Sequence, residues 1–297
     1  MQMRPYQQAA REAVHREWDE GRNRTLLVLP TGCGKTIVFA KITEDEVRSG
    51  SRVLILAHRG ELLQQAADKL ERTSGLKCAV EKAEQTCLGE WYRVTVGSVQ
   101  TLMRQKRLAQ FPPNYFQTII IDEAHHAISD SYQSILEHFP DANVLGVTAT
   151  PDRGDKQNLG RVFDSLAYEY TLPQAIHEGY LTPIRALTVP VQIDFTHVGT
   201  AAGDYKPGDI ATALDPYLDQ IAAEMAKYCA DRKNRGVPAA GQNVPEVPGY
   251  ALPARLSGGR GQRRIRRPEQ VLQDFSDGKY NVLCNSMLLT EGWTVQR

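Results

Sequence analysis

The sequence predicts an α/β fold: a parallel sheet with helices on both faces, followed by an incomplete second lobe. Three observations carry this. Several strand-length runs are almost continuously apolar, which marks strands buried on both faces. Helix-period stretches separate them. The first run leads through a glycine-bearing turn, LPTGCGKT at residues 29–36, straight into a helix-compatible stretch.

Taken in order, residues 5–20 place Tyr6, Ala10, Ala13, Val14 and Trp18 on one helical face. The apolar run at 25–29 is the first strand. RVLILA (52–57) is a buried strand, and residues 60–75 form a helix closed by Gly75. YRVTVGS (92–98) is a strand, followed by a helix around 99–107. TIIIDEA (118–124) and NVLGVTAT (143–150) are strands with a helical stretch, 132–139, between them. After Pro151 the pattern loosens. Residues 168–193 read as a helix between two extended segments, and 213–233 as an amphipathic helix with Leu218, Ile221, Met225 and Tyr228 on one stripe. VLQDFSDG (271–278) reads as a helix and YNVLCNS (280–286) as a strand. The lobe boundary is expected between 185 and 215. This gives a first domain over 1–185, a connector and helix over 186–233, a basic segment over 234–268 and a fragment of a second lobe over 269–297.

A chain of 297 residues with 41% apolar and 24% charged residues has ample core for one large or two ordinary domains. No run of eighteen apolar residues occurs, and MQMRPYQQ is not a signal peptide, so no membrane partner is expected. Cys33, Cys78, Cys87, Cys229 and Cys284 lack metal-ligand spacing, which fits a reduced, cytoplasmic compartment. The formal net charge is zero, yet residues 231–268 hold nine Arg/Lys against two acids, with five prolines and six glycines. Such a segment reads as a nucleic-acid-binding linker or as disordered chain.

The turn at 29–36 has the composition of a phosphate cradle. Unpaired N–H groups at a helix N-terminus and the helix dipole converge on one point. Thr31, Gly32, Cys33 and Gly34 form the loop, Lys35 can reach the outer phosphates, and the Thr36 hydroxyl can hold Mg²⁺. Leu29 stands where the general pattern has its first glycine. The arrangement implies a nucleoside triphosphate. Cys33 within it is either a reactive thiol or the filler of a small position. Asp122 and Glu123 end the apolar strand IIIDEAHH, and ligands of parallel α/β sheets sit at the carboxyl ends of strands. Two acids there suit Mg²⁺ positioning and activation of a water; alone they would read as a solvated turn.

RPYQQ, LPTGCGKT, AHRGELLQQ, TVGSVQTL, IDEAHH, TATP and MLLTEGW occur in that order. The set resembles the superfamily-two helicases and translocases of the DEAD/DEAH type, near the type III restriction-enzyme-like (ResIII) branch. The resemblance covers residues 3 to about 232 and 269–293. It implies a RecA-like P-loop NTPase lobe and ATP hydrolysis coupled to movement on nucleic acid. DNA is favoured over RNA, with a nuclease or methyltransferase subunit as a possible partner. By resemblance Gln7 reads adenine, with Arg4 and Tyr6 packing nearby. Lys35 and Thr36 hold phosphate and Mg²⁺, Asp122 holds Mg²⁺, and Glu123 is the catalytic base. His125, Thr148 and Thr150 couple nucleotide state to lobe movement. Arg59, Ser98, Gln100 and Thr101 resemble residues that grip a nucleic-acid backbone. Bland readings stand beside these: surface histidines at 125 and 126, β-branched strand residues at 148 and 150, a strand-end hydroxyl at 98. Trp18, Trp91 and Trp293 form no recognisable stacking series. The alternative to a motor is a module that binds ATP or nucleic acid without turnover.

After Lys233 the family begins its second lobe with a buried strand, whereas residues 234–268 show no strand pattern. Allowed codons for 235–249, read one nucleotide later, encode VVFLPLVKTSQKFR, and allowed codons continue the shift through Arg267. A single deleted nucleotide likewise converts the family's aromatic-Asp ending into Trp293-Thr294-Val295-Gln296-Arg297. The expectation is therefore an out-of-frame segment without a stable fold. The closing motif with its arginine finger, worth about 10³ to 10⁵ in rate in enzymes that have one, is missing, so turnover would be impaired.

Overall fold

The computed structural model describes residues 3–57, 63–149 and 159–184, then scattered residues between 186 and 284. The chain divides into two compact units, Met1–Ile184 and Arg185–Arg297.

The first unit opens with α1 (Pro5–Asp19), then β1 (Arg24–Val28), α2 (Lys35–Arg48), β2 (Val53–Ala57), α3 (Leu63–Ser74), β3 (Cys78–Glu81) and β4 (Val94–Ser98). Two short helices follow, α4 (Val99–Leu102) and α5 (Gln105–Leu108), then β5 (Thr118–Asp122), a 3₁₀ turn (Ala124–Ile128) and α6 (Asp130–His138). The unit closes with β6 (Asn143–Thr148), β7 (Ser165–Glu169) and α7 (Leu172–His177). Among the described residues the sheet has seven strands in the order β3-β4-β2-β5-β6-β1-β7. Every pairing is parallel.

The continuous apolar runs still alternate in space. Leu27, Val53, Ile55, Ile120, Leu145 and Val147 join residues of α1, α2 and α3 in one core. Leu26, Val28, Leu54, Leu56, Ile119, Ile121 and Val144 join residues of α4, α5 and α6 in the other. Period-two side-chain direction delivers each apolar residue to one of two covered faces, so both must be apolar. Sheet order reverses around β1, which lies beside β6 while β2 lies on the far side of β5. That reversal opens a crevice at the carboxyl ends of β1, β6 and β5.

One reading is corrected here, and two strands were not anticipated. The helix expected over 99–107 is two pieces, because Arg104 adopts an extended conformation as the cap of α5 (φ −75°, ψ 116°). The Arg107 guanidinium on α5 binds the buried Glu81 carboxylate. The edge strand β3 had no apolar run to announce it. Its Glu81 side chain is fully buried and also accepts the Cys87 N–H at 2.9 Å. In the second unit, at the start of the segment 234–268, Asn234–Gly236 pairs in parallel with Val282–Cys284. A parallel ladder is held by backbone groups, so polar Asn234 and Arg235 can join the apolar partner that residues 280–286 had announced. Residues 237–268 lie outside the described residues.

The rest of the second unit shows an antiparallel pair, Thr200–Ala201 with Asp204–Tyr205, and a 3₁₀ turn at Asp215–Tyr217. Of the expected stripe on 213–233, Leu218, Ile221 and Met225 lie outside the described residues. Tyr228 is helical but half exposed, with the Lys227 ammonium 4.9 Å from its ring centre. The helix expected over 271–278 also falls almost wholly outside the described residues. Among the described residues no helix is long and apolar enough to cross a membrane.

Candidate functional site

Between β1 and α2 the chain makes a turn closed by the Cys33 N–H on the Pro30 carbonyl (3.1 Å). Gly32 has φ +91° and Gly34 φ +80°. Gly34 is required twice over, because a Cβ there would also stand 2.5 Å from the Gln7 amide nitrogen. At Gly32 a Cβ would meet a Leu181 methyl at 3.0 Å. Leu29 is fully buried and its N–H binds the Thr148 carbonyl at 3.0 Å. It extends the pairing of β1 with β6, so a glycine there would only weaken the core. Gly34 caps α2 without a side-chain hydrogen bond, and no acidic residue stands in the first helical turn. Lys35 and Thr36 open the helix, each half-buried, while Thr31 and Gly32 are exposed. The Cys33 side chain is fully buried, and that burial pushes its thiol pKa up. It fills a core position and is not an activated nucleophile.

Behind the loop stands a polar and aromatic brace. The Gln7 amide nitrogen and the Tyr6 hydroxyl each donate to the Cys33 carbonyl at 2.9 Å. The Gln7 side-chain oxygen accepts the Arg4 N–H at 2.9 Å. Gln7 is 2% exposed, so both ends of its amide are committed within the fold. Tyr6 stacks on Tyr170 with ring centres 4.3 Å apart and planes within 6°, and meets Tyr180 edge-on at 4.8 Å. Arg4 lies over Tyr180 at 5.1 Å. The Tyr170 hydroxyl donates to Glu178 at 2.7 Å. Sequence reasoning missed Tyr170, Tyr180 and Leu181, because nothing in their spacing joins them to a loop some 140 residues earlier. The aromatic-rich stretch around them was the available signal.

Across the crevice, Asp122 ends β5 level with Val147 of β6, and Val28 of β1 is level with Thr148. One strand separates the turn at 29–36 from the acids, about 10 Å at the usual interstrand spacing. Glu123 follows with φ +56°, ψ 58°, a left-handed conformation that a residue with a side chain adopts at a cost. Its N–H binds the Asp122 carboxylate at 3.1 Å. The bend turns the chain from the strand into the 3₁₀ turn, and His125 Nδ1 lies 3.6 Å from the Glu123 carboxylate. The His125 and His126 rings are 4.1 Å apart. Thr148 is fully buried at the end of β6, between the two. Gln7, Lys35, Thr36, Asp122, Glu123, His125 and Thr148 thus come to one edge of the sheet. Thr150 and Arg59 lie outside the described residues.

The expected nucleic-acid residues sit farther along the same edge, at the end of β4, where Ser98 is level with Ala57 of β2. Gln100 is exposed. Ser98 is 2% exposed, and the Thr101 hydroxyl accepts the Ala83 N–H at 3.0 Å. Trp18 is buried in the core and Trp91 is exposed, so these two do not stack together.

Comparison with known proteins places this geometry. Residues 1–153, just over half of the chain, match the family described as type III restriction enzyme, res subunit. A Saccharomyces cerevisiae protein provisionally named ATP-dependent helicase IRC3 is 29% identical over 98% of this chain and 45% of its own length. An Escherichia coli type I restriction enzyme endonuclease subunit, EcoAI, is 31% identical over 59% of this chain and 22% of its own length. The chain therefore spans about half the length of the yeast relative, and less of the restriction subunit. Among solved structures, a fragment of a protein provisionally identified as a type I restriction enzyme HsdR subunit from Vibrio vulnificus covers 99% of this chain and 56% of its own, with TM-score 0.69 and 22% identity. The Pyrococcus furiosus Hef helicase domain covers 98% of this chain and 87% of its own, with TM-score 0.61 and 17% identity. These likenesses establish the fold, a RecA-like sheet with helices on both faces. With the family match covering more than half of its residues, the chain belongs to the ResIII family, described as type III restriction enzyme, res subunit.

Proposed function

We propose that this chain is the ATP-hydrolysing part of a DNA helicase or translocase. The observation that carries the reading is the placement of the phosphate loop and the acidic end of β5 one strand apart at the crevice. Lys35 and the N–H groups opening α2 receive the phosphates, and the dipole of a fourteen-residue helix favours their charge. Thr36 and Asp122 supply the hard oxygen donors that suit Mg²⁺, which usually takes one or two protein ligands and completes its shell with phosphate oxygens and water. Bound there, Mg²⁺ neutralises charge on the phosphates. Glu123 orients and deprotonates the attacking water, and His125 beside it links that carboxylate to the 3₁₀ turn. The exposed Gln100, with Arg59, contacts the nucleic-acid backbone. The chain's partner would be a nuclease or methyltransferase subunit; relatives named as endonuclease subunits of restriction enzymes support DNA as the track.

The test measures Mg²⁺-ATP binding and turnover, with and without DNA, at low salt where phosphate contacts are strongest. Lys35→Ala is expected to abolish binding. Glu123→Gln is expected to bind ATP normally while slowing turnover by about 10² to 10⁴, the range for loss of a general base. ATP binding without turnover in the unsubstituted chain would identify a binding module instead. Turnover indifferent to both DNA and RNA would remove the motor reading.

A further inference from the structure

The Cys33 carbonyl is the only group of the phosphate loop that the described hydrogen bonds tie to α1, and it is tied twice. One peptide plane contains that carbonyl and the Gly34 N–H, which point in opposite directions in a trans peptide. Holding the carbonyl toward α1 therefore turns the Gly34 N–H away from α1. The tie is stiff, because the Tyr6 ring is 5% exposed and stacked on Tyr170, so the hydroxyl has little freedom to move.

We propose that Tyr6 is a positioning residue that sets the phosphate loop through its hydrogen bond to the Cys33 carbonyl, acting with Gln7 and independently of the base. This rests on the reading of the loop as a triphosphate site. Its consequence is specific. Losing the Tyr6 hydroxyl weakens every nucleoside triphosphate by the same factor, since what is disturbed is the cradle and not a base contact. Burial pushes the Tyr6 pKa up, so the hydroxyl stays protonated and donates throughout the neutral range.

Tyr6→Phe keeps the ring and the stack and removes the donor to the Cys33 carbonyl, together with the acceptor of the Arg4 guanidinium at 3.2 Å. Loss of the hydrogen bond to the loop is expected to raise the Kd for ATP about five-fold, with the same factor for GTP and for CTP. A change in the ratio between bases would overturn the proposal, as would an unchanged Kd. A second measurement needs no nucleotide. In the unsubstituted protein the Cys33 side chain is fully buried behind this tie. Alkylation by iodoacetamide, followed at Cys33 by peptide mass spectrometry, is expected to run several-fold faster in Tyr6→Phe. Tyr170→Phe, which loses a hydroxyl from the same stack but none from the loop, should stay within about twofold of the unsubstituted rate. Equal Cys33 reactivity in Tyr6→Phe and the unsubstituted chain overturns the tie. Absence of ATP binding in the unsubstituted chain would instead reject the triphosphate reading and leave the alkylation result to decide the tie.

Discussion

Two stretches of the same sheet edge differ in how they treat their backbone and their polar side chains. At the ends of β1 and β5 the chain is bent into left-handed conformations at Gly32, Gly34 and Glu123. At the end of β4 the backbone is ordinary. Ser98 is extended (φ −79°, ψ 123°) and nearly buried, and Thr101 spends its hydroxyl on the Ala83 N–H. Strain at the first stretch persists because neighbouring elements hold it, which is how folds keep reactive groups in place. Polar atoms at the second stretch largely serve the fold. Motif resemblance gave both stretches a functional role; the left-handed bends lie at the first, while at the second Ser98 and Thr101 are buried and Gln100 is exposed.

The largest effect that would break this comparison is at Glu123. Glu123→Gly is expected to cut turnover at least about 10²-fold through loss of the base. It should also raise stability by about 1 kcal/mol, since glycine relieves the left-handed cost but adds unfolded-state entropy. Thermal unfolding checks the second half: a lower Tm would mean that Glu123 carries no strain. Next is Thr101→Val, which keeps shape and removes the acceptor of the Ala83 N–H. About 1 kcal/mol should be lost in urea unfolding. Weaker DNA binding at unchanged stability would return Thr101 to the contact surface.

The smallest effect concerns the support of the crevice. Arg11 on α1 makes a two-pronged pair with Asp45 on α2, at 2.5 and 2.6 Å, and His15 lies 3.2 Å from the same carboxylate. The pair joins the helix bearing Tyr6 and Gln7 to the helix bearing Lys35. Burial of Asp45 raises its pKa, but the Arg11 hydrogen bonds and charge outweigh this and hold the carboxyl below its usual range. A depressed folded pKa contributes stability above the unfolded value, about 3.9, that is lost as pH falls through the folded value. Asp45→Asn should cost about 1 kcal/mol at pH 7, modest because the pair is partly exposed. The difference should shrink as acid protonates Asp45 in the unsubstituted chain. A cost independent of pH would show that the pair holds the helices by shape and not by charge.

Much of the first unit was legible because its strands carry long apolar runs and its chemistry sits in contiguous motifs. LPTGCGKT and IIIDEAHH each place their own backbone: a strand feeds a bend, and the bend feeds a helix or 3₁₀ turn. The edge strand β3 was illegible, since four residues ending in glutamate look like a loop until Arg107 and the Cys87 N–H satisfy Glu81. The break between α4 and α5 was hidden for the same reason.

By itself the sequence determined the two-faced sheet, the glycine-bearing turn at 29–36 and the acids at the end of β5. Local pattern sets element type, and covalent continuity sets each motif's shape. Only the tertiary structure decided that β1 and β5 stand one strand apart and that Gln7 presses on Gly34. It likewise decided that Tyr6 braces Cys33 while leaning on Tyr170. Those facts join residues up to 164 positions apart (6 to 170), and no local propensity reaches that far; strand order and packing on the sheet faces bring them together.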